Sequence, residues 1–66
     1  MCRNIKQLRR PDQPPTDEEI EDAALQFVRK VSGYRKPSRA NEEVFNTAIA
    51  EIAASTRRML NSIVTK

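Results

Sequence analysis

The side chains able to do covalent chemistry are few in this sequence, and the first is Cys2. It is the only cysteine, and the chain contains no histidine. The absence of histidine excludes most general-base and catalytic-triad arrangements. Cys2 is then the only candidate nucleophile, and the neighbouring Arg3 favours its thiolate form. The alternatives, a redox or nucleophilic thiol and an ordinary terminal one, stay open. We expect no enzyme activity.

Other familiar sites of chemistry are missing. A single glycine rules out a Gly-rich phosphate loop, and a single cysteine rules out a disulfide within the chain. No carboxylate cluster has the composition of a metal site, so we expect no metal and no cofactor. The sequence does not identify a small-molecule ligand. The remaining possibility is a protein that binds its partners through charged and apolar surfaces.

Positive charge is concentrated in residues 1–10 of an N-terminal arm (1–15) and in residues 29–39, which include the connection between the helices, and we expect both to face an anion. The helix dipole explains acids in a first turn and bases in a last turn, but it does not explain these bases in the arm or between helices. The predicted anion-contacting residues are Arg3, Lys6, Arg9, Arg10, Arg35, Lys36 and Arg39. Two interpretations stay open: these bases pair with the acidic start of the first helix, or they contact an anionic partner such as nucleic acid.

A long C-terminal helix is predicted over about 39–64, and one of its faces carries most of the apolar surface. Residues 40–64 contain no Gly or Pro, and large apolar side chains recur at steps of four and three. Ser38 is the expected N-cap, with Asn41 as the alternative one turn later. The predicted stripe comprises Phe45, Ala48, Ile49, Ile52, Thr56, Met59, Leu60 and Ile63.

A shorter helix is predicted over about 17–32. Thr16 and Glu19 have the spacing of a capping box, and Gly33 lies where a left-handed C-terminal residue is favoured. Its predicted apolar face comprises Ile20, Ala23, Ala24, Phe27, Val28 and Val31. Leu25 falls outside that face, so either the arm's Ile5 and Leu8 cover it or a partner does.

Together these elements predict a single all-α domain: an antiparallel helical hairpin at residues 16–66 with the basic, proline-containing arm before it. A 66-residue chain without a disulfide or metal has a marginal core, so we expect self-association into a helical bundle. The predicted oligomer interface is Leu25, Phe45, Ile49, Ile52, Met59 and Ile63. An alternative is a regulatory subunit that docks this apolar face on another protein.

We expect no membrane contact and a cytoplasmic location. A helix-turn-helix DNA reader is disfavoured, because two helices are one fewer than usual and the net charge is only +3.

Four segments carry a resemblance to a known family. They are Met-Cys-Arg-Asn-Ile-Lys at residues 1–6, Pro-Pro-x-Asp-Glu-Glu-Ile at 14–20, Ala-Leu-Gln-Phe-Val-Arg-Lys-Val-Ser-Gly at 24–33, and Lys-Pro-Ser at 36–38 with Asn-Glu at 41–42. The chain resembles a small bacterial family of uncharacterised proteins, a domain of unknown function. That resemblance implies a bacterial cytoplasmic origin and brings no assigned activity.

Overall fold

Two α-helices packed antiparallel form the protein, and no strand occurs among the residues described. The structure is a computed structural model, and it describes residues 6–10 and 12–64. Helix α1 spans Asp17–Ser32, a short 3₁₀ turn spans Arg39–Asn41, and helix α2 spans Glu42–Ser62. The molecule measures 45 × 21 × 16 Å.

Helix α1 has the predicted limits because local signals determine both of its ends. The Glu19 backbone N–H donates to Thr16 Oγ1 at 3.1 Å, and the Thr16 N–H donates to Glu19 Oε1 at 2.9 Å. Together these two bonds form the predicted capping box. Gly33 ends the helix with φ 77°, and its N–H donates to the Arg29 carbonyl at 2.9 Å.

The second helix differs from the prediction at both ends. Its α-helical part begins at Glu42, after the 3₁₀ turn, and it ends at Ser62 because Ile63 has extended backbone angles. Neither predicted N-cap makes a side-chain capping bond. The Asn41 side-chain amide N–H donates instead to Ser38 Oγ at 3.0 Å, so the two candidate caps bond to each other.

The core is small and includes a residue from the arm. Its cluster of buried side chains comprises Leu8, Ile20, Ala24 and Ala53, with Ala23, Ile49, Ile52 and Leu60 packed against it. Val28 is also buried. Ala53 was absent from the predicted stripe, yet it is the buried residue of α2. The small Ala24 and Ala53 let the two helices approach closely at the centre of the hairpin.

In each helix the buried face is rotated about the helix axis relative to the apolar face that the sequence predicts. Phe27 and Val31 belong to the predicted face of α1 but are 45% and 66% exposed, and Met59 of α2 is 50% exposed. Phe27 lies about 60° around the axis from buried Ala24, and Met59 about 120° from buried Ala53. In an antiparallel pair these two rotations leave apolar residues uncovered on the same side of the hairpin.

Candidate functional site

One broad face of the hairpin carries an apolar groove between the helices. It is an open depression of about 290 Å³. Its lining comprises Lys6 and Leu8 from the arm, Ala23, Ala24 and Phe27 from α1, and Ile52, Thr56 and Leu60 from α2. The Thr56 hydroxyl donates to the Ile52 carbonyl at 2.7 Å, so its hydrogen-bonding need is met within the helix. The groove therefore presents surface that is almost wholly apolar, with Lys6 as its one charged lining residue.

The six predicted interface residues do not lie on one surface. Ile49 and Ile52 are half-buried and pack against the hairpin's own core. Phe45 is half-buried, and its ring meets Tyr34 edge-on with the centroids 6.1 Å apart. Met59 and Ile63 are exposed, at 50% and 42%. Three of the six predicted interface residues, Phe45, Ile49 and Ile52, therefore make contacts within the chain.

Leu25, the sixth of these residues, lies on the opposite, acidic face of the hairpin. This acidic face is a shallow depression lined by Glu18, Glu21, Asp22, Leu25, Asn46 and Ile49. Leu8 lines the apolar groove on the other side, so it does not cover Leu25. Ile5, the other residue considered for that purpose, lies outside the described residues.

Arg10 of the arm is bound to the start of α1. Its guanidinium donates to both Glu19 oxygens, Nη1 to Oε2 at 3.0 Å and Nη2 to Oε1 at 2.9 Å. This pairing, together with the Thr16 N–H bond, lowers the pKa of Glu19 from 4.5 to about 2. The same bond to Glu19 raises the pKa of Arg10. Arg10 therefore has an internal anionic partner, as does Arg57, which pairs with Asp17.

The remaining predicted cations are divided between different surfaces. Lys6 lines the apolar groove, and Arg9 is exposed without an ion pair in the part of the chain that the structure describes. Lys36 and Arg39 are also exposed, beyond the end of α1. Arg3 lies outside the described residues, as does Cys2, so both remain sequence predictions.

The end of the hairpin that carries the turn contains a basic pocket of about 350 Å³. Its lining comprises Gln26, Arg29, Lys30, Gly33, Tyr34 and Arg35. Of the predicted cations only Arg35 lines it, and Lys36 and Arg39 lie outside it. Arg29 and Lys30 belong to the basic segment 29–39, but the sequence prediction names only Arg35, Lys36 and Arg39 there as site residues, since bases in the last turn of a helix are explained by its dipole. The spacing of Arg29 and Lys30 from Arg35, with a helix-ending glycine between them, is the sequence signal that could have predicted this pocket.

Two further features bear on what the surface can do. Among residues 6–10 and 12–64, no three His, Cys, Asp or Glu side chains are grouped so that they could hold a metal ion. Within the same residues, neither helix is long and apolar enough to cross a membrane. The features of the described surface that include predicted site residues are the apolar groove, the acidic face and the basic pocket.

These features define the class of protein as a small all-α domain built on a helical hairpin. The comparison with family models gives a more particular assignment. The chain belongs to the family described as "Uncharacterized conserved protein (DUF2277)", whose model matches residues 1–66. Comparison with curated proteins and with solved structures found no match.

Proposed function

We propose that this protein is a non-enzymatic helical association module, which packs against a second copy of itself through the apolar groove and presents basic residues to an anionic partner. The observation that carries the proposal is the groove between the two helices, which residues 6–10 and 12–64 leave open. Its floor is continuous with the hairpin's own core, because Ile52 and Leu60 belong to both.

The exposed area of the chain supports a second copy as the occupant. A compact monomer of 7.6 kDa exposes about 4,300 Å² of surface. This chain exposes 5632 Å², which is about 1,300 Å² more than that expectation. A specific interface buries about 800 Å² of each partner. One dimer contact on the groove face would remove most of the excess.

The charge of the groove also favours a second copy. In a two-fold symmetric contact each patch meets itself, so any charge at its centre meets a like charge. The groove has only Lys6 as a charged lining residue, whereas the acidic face would place Glu18, Glu21 and Asp22 against their own copies. The groove face is self-complementary in this respect, and the acidic face is not.

Mass measurement with a matched pair of variants tests this self-association. We expect the unaltered protein at about 50 µM to sediment as more than one chain, and Phe27→Lys to raise the dissociation constant at least about tenfold, since one desolvated charge exceeds 1.4 kcal/mol. Val44→Lys is the control, because Val44 is 68% exposed and lies outside the groove. Helicity should be unchanged in both variants.

Two outcomes would contradict the proposal. A stable monomer at about 50 µM would leave no role for a second copy, since interfaces of this size normally give micromolar or tighter binding. Equal effects of Phe27→Lys and Val44→Lys would show that the contact lies on another surface. A heterologous protein that binds the unaltered monomer, and loses affinity with Phe27→Lys, would identify the groove as a docking site for a different chain.

The anionic contact rests on the bases that follow α1. Arg35, Lys36 and Arg39 are exposed, and none of them forms a salt bridge within the described residues. If the partner is nucleic acid, binding should weaken steeply with salt, because neutralised phosphates release counterions. Replacing all three bases by Gln should reduce that salt dependence without loss of helicity. An unchanged salt dependence in the triple variant would contradict the contact.

A further inference from the structure

We propose that the basic pocket at the turn binds the phosphate group of a small phosphate ester. The pocket is lined by Gln26, Arg29, Lys30, Gly33, Tyr34 and Arg35. This inference goes beyond the proposed function: it shares Arg35 with the proposed anionic contact but concerns a separate cavity and a separate class of ligand. It does not depend on self-association, because no residue of the pocket lines the apolar groove.

The end of α1 brings these side chains together. Arg29 and Lys30 belong to its last turn, and Gly33 ends the helix in the left-handed region. The chain then turns, and the Tyr34 N–H donates to Ser32 Oγ at 3.1 Å, which holds the first residue after the turn. As a result Tyr34 and Arg35 close one side of the pocket. A Cβ at Gly33 would meet no atom within 4 Å, so the space beside the glycine is open.

The positive charge of the pocket favours an anion, and the negative end of the α1 dipole offsets only part of that charge. Arg29, Lys30 and Arg35 bring three positive charges to one cavity, and none of them forms a salt bridge within the part of the chain that the structure describes. Arg29 Nε is buried and has no acceptor among those residues. A phosphate dianion would offset the mutual repulsion of the three cations, and its oxygens match the planar donor fork of arginine.

The size of the pocket favours a single phosphate group over a nucleic-acid strand. A volume of about 350 Å³ is at the low end for small-ligand sites. A strand would need a continuous basic track, but Lys36 and Arg39 lie outside the cavity. Gln26 and Tyr34 add neutral hydrogen-bonding groups, an amide and a hydroxyl, which suit the polar remainder of an ester such as a sugar phosphate.

The chain carries its own reporter for this site, because Tyr34 is the only tyrosine and there is no tryptophan. Titration with inorganic phosphate and with ribose 5-phosphate, followed by tyrosine fluorescence, should give a saturable change below about 10 mM, which corresponds to at least millimolar affinity. Free N-acetyltyrosinamide, titrated in parallel, corrects for quenching in solution. Sedimentation of the same samples reports self-association separately.

Two triple variants of equal charge change test the assignment. Replacing Arg29, Lys30 and Arg35 by Gln should weaken ribose 5-phosphate binding at least about tenfold. Replacing Arg9, Arg57 and Arg58 by Gln should change it less than about twofold, because none of these three lines the pocket. Arg35→Glu alone is the second test, because Arg35 lies outside α1 and its loss leaves the helix dipole unaffected. It should also weaken binding at least about tenfold.

Several results would contradict the proposal that the pocket binds a phosphate group. One is the absence of a saturable change with either phosphate probe. Another is equal loss of binding in the two triple variants. A third is loss of ribose 5-phosphate binding when only Lys36 and Arg39 are replaced by Gln, because that would place the phosphate contact outside the pocket. If the protein is monomeric but still binds ribose 5-phosphate, and Arg35→Glu weakens that binding, the self-association proposal is wrong and the proposed phosphate site is supported.

Discussion

Arg10 and Glu19 join the arm to α1, and this pair makes the fold sensitive to acid. A carboxyl group whose pKa is lowered on folding stabilises the folded state above its ordinary pKa, and that stabilisation is lost as the pH falls toward the lowered value. The pKa of Glu19 falls from 4.5 to about 2. We therefore expect the difference in melting temperature between the unaltered protein and Glu19→Gln to shrink as the pH falls from about 4.5 to about 2.

Thermal unfolding followed by circular dichroism at several pH values measures this difference. Glu18→Gln is the matched control, because Glu18 lies in the same helical turn and makes no ion pair within the described residues. Its difference from the unaltered protein should depend less on pH. A Glu19→Gln difference that stays constant from about pH 6 to about pH 2 would contradict a role for the Arg10 pair in stability.

Thr16 gives a second prediction at the scale of single residues. Its hydroxyl accepts the Glu19 backbone N–H at 3.1 Å, one of the donors that would otherwise lack a partner at the start of α1. Thr16→Ala should lower the free energy of unfolding by about 1 kcal/mol, and Thr16→Ser should retain most of it. Urea denaturation measures both values. Equal stability of the two variants would show that the capping bond contributes nothing to the fold.

At the scale of elements, the contact between α1 and α2 depends on small side chains. Ala24 is 2% and Ala53 6% exposed, and both belong to the same buried cluster. A larger residue there would force the helices apart, so Ala53→Leu should destabilise the hairpin by about 1–3 kcal/mol. Ala54→Leu is the control, because Ala54 is the exposed neighbour on α2, and we expect a change within about 0.5 kcal/mol. Denaturation midpoints that do not differ would contradict the close contact.

The helices themselves could be predicted because their signals are local. The capping box at Thr16 and the glycine at position 33 determine both ends of α1 without reference to the rest of the chain. The rotation of each helix could not be predicted in the same way, because it depends on which side chains meet across the pair. The larger apolar side chains set the centre of the predicted stripe, which includes Met59 and leaves Ala53 about 20° outside its arc.

The sites were harder to predict than the helices for a related reason. Leu8 of the arm belongs to the core, and the Arg10–Glu19 pair joins the same arm to α1, but neither contact follows from a local sequence pattern. Likewise, Arg29 and Lys30 join Arg35 in one pocket only after Gly33 turns the chain. A sequence pattern shows that charges or apolar residues are available. It does not show which of them the fold brings together and which it uses internally.

At the scale of the whole molecule, the hairpin keeps its different surfaces apart. The apolar groove occupies one broad face, the acidic face lies opposite, and the basic pocket lies at the end with the turn. A contact through the groove would therefore leave both charged surfaces exposed. Two copies joined in this way would carry two basic pockets, so a partner with two phosphate groups at a suitable spacing would bind with higher apparent affinity than a single ester.

If folding and self-association are coupled, the stability of the protein must depend on its concentration. Mass action favours the associated folded state as the concentration rises, so the melting temperature should increase between about 5 and about 200 µM. Phe27→Lys should abolish that dependence, because the charge lies in the groove, while Val44→Lys should retain it. Differential scanning calorimetry measures the midpoint at each concentration. A melting temperature that is independent of concentration for the unaltered protein, together with a monomeric mass at the same concentrations, would mean that the small core and the arm are sufficient for the fold.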